Sequence, residues 1–520
     1  MRLRARELDG RELLIAAVAS GLTALVILLA GRKMSPALAL LVPLLLAFLA
    51  VLITRPLLCL CLAVGSAILV EGPTFGLLAS QAHFYNPFYK RLTLVDLLVL
   101  LAALAVALDM LRSSRQPRFP RELRLVDLVL VLGMILGIAV GKGSGQGLKN
   151  LVLAENLIFY LLLLPLVVAN MELDARKLRL LLGGAFALAV LKALLGLAEV
   201  AAHKGVSIEG SANLTYYEPT ANWVVMIALL GIVVAILARF KPPLWMLLGT
   251  PLLVASIVLS YRRSFWIATV IGLLLVILLA LSPVGRRLLV PTALFVAAGI
   301  WFLGSINFQS NSPIIKRAAS LSPSSLTTNV EDRYRLDERA NVLNDLEQAP
   351  LTGLGINVPW KATKRPLPVE HEDARLYVHF ATLWWWMKLG IFGLIAYPLM
   401  LISAARLAWK VWRRGTEAIV RAFGLASLCG LAGLVVAETT ATFTGSELRF
   451  TVVLGSMIGL LALLAAQSTR PPGYVVDRGG EEQDAAAPGL GTDGPTPGGL
   501  TPGGLMPGGP TPGGLTPAAG

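Results

Sequence analysis

The sequence predicts an all-α polytopic membrane protein. Long apolar runs recur along most of its length, basic residues gather in alternate loops, and charged residues are scarce. Of 520 residues, 56% are hydrophobic and only 15% charged, against roughly 25% charged in an average soluble domain. A spanning helix needs roughly 20 apolar residues, so the chain holds enough apolar sequence for many spans. A soluble globular fold is excluded.

Apolar runs lie near 13–30, 36–53, 57–71, 92–111, 125–141, 151–170, 178–201, 221–238, 243–260, 264–281, 288–304, 379–405, 418–437 and 450–467. Because 36–71 also reads as one hairpin or a re-entrant pair, the expectation is about 12–14 transmembrane helices. The positive-inside rule tests this series, since Lys and Arg concentrate in cytoplasmic loops. With the N-terminus inside, Arg2, Arg4, Arg6 and Arg11, then Arg112 to Arg124, Arg176 to Arg179, Arg239 and Lys241, Arg286 and Arg287, and Arg406 to Arg414 fall on one side. Both termini are then cytoplasmic. The same distribution accounts for the net charge of +14 without nucleic acid.

Four segments follow: a helix bundle over 1–304, an outer loop over 305–378, C-terminal helices over 379–469, and a tail over 470–520. The tail repeats Thr-Pro-Gly-Gly-Leu at 496–500 and 501–505 and reads as disordered, because it cannot bury enough apolar surface to order itself. Cys59, Cys61 and Cys429 all lie in apolar runs, so neither a disulfide framework nor a zinc site is expected. The first apolar run is too long and unbroken for a cleavable signal peptide.

Chemistry is expected in the outer segments. Arg262 and Arg263 lie in a short outer turn against the topology rule, read either as basic residues the turn tolerates or as an anion site. In the large loop, 332–348 reads as a helix ended by Pro350 and the Gly353-Leu-Gly355 turn. Its periodicity puts Leu336, Ala340, Val342, Leu343 and Leu346 on one face and Asp337, Glu338, Asn341, Asn344 and Asp345 on the other. Arg335 and Arg339 project from the apolar face, where they need a carboxylate such as Glu331 or Glu338, or a bound phosphate. Of the four histidines, His379 precedes the interfacial Trp384, Trp385 and Trp386. It reads equally as a packed histidine or as a base for a hydroxyl nucleophile. His371 sits in a solvated acidic stretch and ranks below it.

These features recur in a fixed order. An outer Arg in SYRRSFW (Arg262 or Arg263) is followed by an Arg339-led helix closing in Pro350, Leu351, Gly353 and Gly355, then by His379 ahead of Gly390, Gly393 and Leu394. Over roughly 255–400 the chain thereby resembles the O-antigen ligase and polysaccharide polymerase family of GT-C-type membrane glycosyltransferases. The family histidine is usually followed by Asn; here Phe380 follows. The resemblance implies transfer of a glycan from an undecaprenyl-diphosphate donor to an acceptor hydroxyl of a glycan, lipid or protein, at the outer face of the bacterial cytoplasmic membrane. It makes His379 and Arg339 the catalytic candidates, and Arg262, Arg263, Arg335 and Arg339 the diphosphate-binding ones.

No metal and no other cofactor is expected. Metal-dependent transferases of this broad class usually carry acids in the first outer loop, whereas this chain has Gly31-Arg32-Lys33-Met34-Ser35 there. Glu155, Asn156, Lys192, Glu199 and Glu438 lie within spans and should face the bundle interior. Lys192 and Glu199 share a helical face and either pair or line a carrier groove. Tyr216, Tyr217 and Glu218 are candidates for sugar contacts. The competing reading is a transporter or flippase of lipid-linked sugars. Transporters commonly show related halves, and no internal repeat is visible among these spans.

Overall fold

The computed structural model describes residues 48–70, 93–148, 150, 151, 156–202, 219–280, 330–367 and 375–468. The candidate spans at 13–30 and 288–304, Tyr216, Tyr217, Glu218, His371 and the tail lie outside them.

Among the described residues the structure is all-helical. In chain order the helices are α1 (Phe48–Thr54), α2 (Pro56–Leu69), α3 (Leu94–Arg112), α4 (Arg121–Gly143), α5 (Asn156–Ala169), α6 (Ala175–Ala201), α7 (Pro219–Leu237), α8 (Leu244–Val258), α9 (Arg263–Ala280), α10 (Val330–Gln348), α11 (Ala381–Arg414), α12 (Ala418–Ala437) and α13 (Leu448–Gln467). Eight are long and apolar enough to cross a membrane. The α1–α2 pair, bent by 108°, is a ninth if counted as one span. This is a multi-pass membrane protein. Leu125, Ile135, Leu180 and Leu248 are exposed on helix surfaces, where lipid rather than water is the solvent. Lys192, Glu199 and Glu438 are buried, as expected of ionisable groups in spans.

α13 is the central helix, with 94% of its apolar window buried. On one end of the bundle the basic loops meet: Lys410 pairs with Glu122, Arg115 with Asp109 and Glu172, and Arg179 with Glu417. At the other end, the N-termini of α9 and α11 meet α10, the helix expected at 332–348.

One feature of the backbone connects α10 to the bundle. α11 is broken at Gly390, whose φ of 61° interrupts the helix. The segment after α10 enters this break: Leu354 and Gly355 N–H both donate to Met387 O, and Ile391 N–H donates to Leu351 O. Ile356 N–H reaches Gly137 O on α4 at 3.0 Å. Irregular backbone at this depth is tolerable because protein groups satisfy it. The approach also requires small residues. A Cβ on Gly137 would lie 2.5 Å from Lys388 O, and one on Gly141 would lie 2.5 Å from Ile356 O.

Candidate active site

α10 buries much of its polar face along with part of the apolar one. Glu338, Asn341 and Asp345 are buried together with Val342 and Leu346, while Leu336 and Arg339 are exposed. The reason is that α10 is covered by the segment that follows it, whose amides need acceptors. Asn341 Oδ1 accepts from Lys364 and Arg365 N–H, each at 2.8 Å, and Asp345 Oδ2 accepts from Lys361 N–H at 2.6 Å. Asp337 adds an ion pair to Arg365 at 2.7 Å. Hydrogen-bonding demand outweighed apolar periodicity here, because the amides of Lys361, Lys364 and Arg365 find their acceptors on this face of α10.

The same face presents Glu338 to His379. Glu338 Oε2 accepts from His379 N–H at 2.8 Å and lies 2.9 Å from Nδ1. A carboxylate oxygen only accepts, so Nδ1 is the donor, and in the neutral imidazole Nε2 then carries the lone pair. Tyr377 and Tyr334 stand edge-on to the imidazole, with ring centroids 5.0 and 5.9 Å away. Tyr377 is fixed in turn: its hydroxyl donates to Thr442 O at 3.0 Å and accepts from Thr442 N–H at 2.8 Å. Burial raises its phenol above the ordinary range, and the Thr442 N–H bond opposes this only in part. Burial raises Tyr334 as well. Neither phenol competes with the imidazole as a base at neutral pH.

The arginines differ in what already holds them. Arg263 makes a two-pronged pair with Asp332, 2.9 Å to each oxygen. Arg335 reaches the same Asp332 at 3.3 Å, while Glu338 is engaged by His379. Arg333 lies at the surface, 4.0 Å from Asp337. Arg339 is exposed, has no ion pair among the described residues, and lies over the Phe380 ring at 5.2 Å. Arg262 acts electrostatically on both Tyr377 and Glu447. His379, Arg262, Arg263, Arg335 and Arg339 therefore belong to one end of the bundle, around the α10 docking face. Among the described residues no group of three or more His, Cys, Asp or Glu side chains is arranged to hold a metal ion.

Residues 248–397 match the family described as O-antigen ligase (Wzy_C). Over that segment the chain is similar to the O-antigen ligase family. The match spans Arg262, Arg263, α10 and His379, the residues that converge in space. This similarity, together with the apolar spans, supports a membrane enzyme of glycan transfer. No curated protein matches the chain.

Sequence reasoning missed Glu338 as the partner of His379, 41 positions away, because nothing local links the two. It also passed over Tyr377, Asp332 and Glu447. Of these only Tyr377, two residues before His379, carried a positional hint.

Proposed function

We propose that this protein transfers a glycan from an undecaprenyl-diphosphate carrier to an acceptor hydroxyl, as a ligase or a surface polysaccharide polymerase. The reaction takes place at the outer face of the bacterial inner membrane. The observation that carries this reading is the Glu338–His379 pair, with Arg339 on the next residue of the same helix.

An acceptor hydroxyl approaches His379 Nε2 and gives up its proton as its oxygen attacks the anomeric carbon. The bond from that carbon to the diphosphate oxygen breaks, and its electron pair leaves with the diphosphate. Glu338 keeps the imidazole in the required tautomer and offsets the charge of the imidazolium that forms, as the third member of a triad does. The leaving diphosphate gains charge in the transition state, which favours guanidinium groups placed to meet it. Arg339 suits this role best because no carboxylate holds it among the described residues, and Arg262 belongs to the same end of the bundle. Arg263 and Arg335 contribute through Asp332, which sets the position of α10. Direct displacement of this kind inverts the anomeric centre.

The outer location is supported by the basic loops at the opposite end of the bundle, which the positive-inside rule assigns to the cytoplasm together with both termini. Purified protein supplied with a lipid-diphosphate glycan and an acceptor tests the reading. His379→Ala abolishes transfer and retains donor binding, Arg339→Ala weakens both, and chelators leave transfer intact. Full transfer by the His379→Ala protein would remove the base assignment. Vectorial movement of the lipid-linked sugar without a new glycosidic bond would favour the transporter reading instead.

A further inference from the structure

Two consecutive residues of α10 meet two consecutive residues at the start of α11. Glu338 grips His379, and Arg339 lies over the ring of Phe380, its guanidinium carbon 5.2 Å from the ring centroid. Both contacts join positions 41 apart, so they form adjacent rungs between the same two segments. The base accounts for the first rung and leaves the second unexplained.

Phe380 is held firmly enough to serve as a platform. It is the N-cap of α11, in extended backbone, and its carbonyl accepts from Trp384 N–H at 2.9 Å. On either side, His379 N–H donates to Glu338 at 2.8 Å and Ala381 N–H donates to Glu438 O at 3.2 Å. The ring itself is half-buried against the core. Arg339 is the opposite: it is exposed, with neither an ion pair nor a hydrogen bond among the described residues. Arg421, at the other end of the bundle, shows the contrast. It lies over the rings of Phe240 and Trp412 at 5.3 and 5.1 Å, but its Nε also donates to Trp412 O at 3.3 Å, so stacking there fastens one element to another.

We propose that Phe380 is a positioning residue for Arg339, holding its guanidinium ready for the lipid diphosphate without neutralising it. The inference rests on the transfer reading above and deepens it. A carboxylate would also hold an arginine, as Asp332 holds Arg263 with 2.9 Å to each oxygen, but it occupies N–H donors and offsets the charge. An aromatic face attracts the guanidinium plane and leaves the donors at its edge for phosphate oxygens. A long side chain that becomes ordered only when its ligand arrives loses part of the binding free energy to that ordering. Stacked on Phe380, Arg339 is ordered beforehand. Because Phe380 follows His379 directly, one pinned stretch of backbone places both the base and the platform for the cation.

Binding of farnesyl diphosphate to the purified full-length protein, measured as a double-mutant cycle, tests this without requiring turnover. Phe380→Leu, which stays apolar but removes the ring, weakens binding by about two- to fivefold, the range of an exposed cation–π contact. Phe380→Tyr keeps the ring and binds like wild type. In an Arg339→Ala background Phe380→Leu causes no further loss, because the cation it positions is gone. Should Phe380→Leu fold poorly, Phe380→Met replaces it in both backgrounds. Wild-type affinity in the Phe380→Leu protein overturns the assignment, as does a Phe380→Tyr protein that binds as weakly as Phe380→Leu. An equal loss in both backgrounds overturns it too, since the ring would then only support the His379 segment. Wild-type protein that binds no farnesyl diphosphate, or Arg339→Ala protein that binds it as tightly as wild type, would instead overturn the role given to Arg339 in the transfer reading, and this inference with it.

Discussion

Glu338 grips His379 at two points with one carboxylate, accepting from the backbone N–H at 2.8 Å and lying 2.9 Å from Nδ1. The first contact sets where the chain re-enters the bundle, and the second sets which imidazole nitrogen is basic. Glu338 is 1% exposed, so water does not compete for either bond.

Glu338→Gln keeps the shape but introduces an amide that can donate to Nδ1 and so favour the wrong tautomer. General base catalysis contributes about 10²–10⁴-fold, and the variant should lose transfer within that range while donor affinity stays close to wild type. Rates and donor affinity measured side by side on purified protein decide it. Transfer within threefold of wild type would mean that the pair is structural only.

The two kinds of arginine separate by experiment. Arg263 and Asp332 expose only 11% and 9% of their side chains, and removing one member of a buried pair costs about 3–5 kcal/mol. Arg263→Ala should therefore lower the unfolding temperature clearly. Arg339→Ala should leave it nearly unchanged and instead weaken donor binding, since the exposed guanidinium gives up only a contact with the Phe380 ring. Equal thermal losses in the two variants would undo the distinction.

Much of the architecture was legible because a bilayer imposes a simple rule: spans must be long, apolar and helical, and their loops sort by charge. The order Arg262/Arg263, α10, Gly353-Leu-Gly355, His379 was legible too, as a family pattern. The orientation of α10 was not. Periodicity assumes that apolar side chains decide which face turns inward, but here Asn341 and Asp345 are drawn in by the amides of Lys361, Lys364 and Arg365. Glu338 was illegible for another reason. It acts on a residue far away in the chain, His379, and such a pairing exists only after the helices have packed.

Gly390 has a steric role that can be tested apart from the chemistry. At φ of 61°, a Cβ there would fall 2.3 Å from Leu351 O, in the segment that fills the α11 break. Its ψ of −147° puts Gly390 near a region that is essentially glycine-only, where another residue costs about 1–3 kcal/mol, and overpacking adds about 1–3 kcal/mol. Gly390→Ala should lower the unfolding temperature and, by displacing the 351–355 turn, reduce transfer as well. Gly183→Ala is the control, because nothing lies within 4 Å of a Cβ at that position. A Gly390→Ala protein as stable as the control would show that the break is adaptable.

The raised carboxyl of Glu447 enters the stability of the fold, with a definite sign. Its pKa goes from an ordinary 4.5 to about 8 on burial, so between those values the unfolded chain has released a proton that the folded chain retains. Stability falls with rising pH wherever the native state binds more protons. The contribution is constant below about 4.5, declines from there up to about 8, and levels off above it. Unfolding temperatures of wild type and Glu447→Gln, measured from pH 4 to 9, isolate this from every other titrating group. The difference between the two proteins should shift steadily in favour of the variant as pH rises through that window. A pH-independent difference would mean that Glu447 ionises in the folded protein as it does in water, and that the burial of its carboxyl has been overstated.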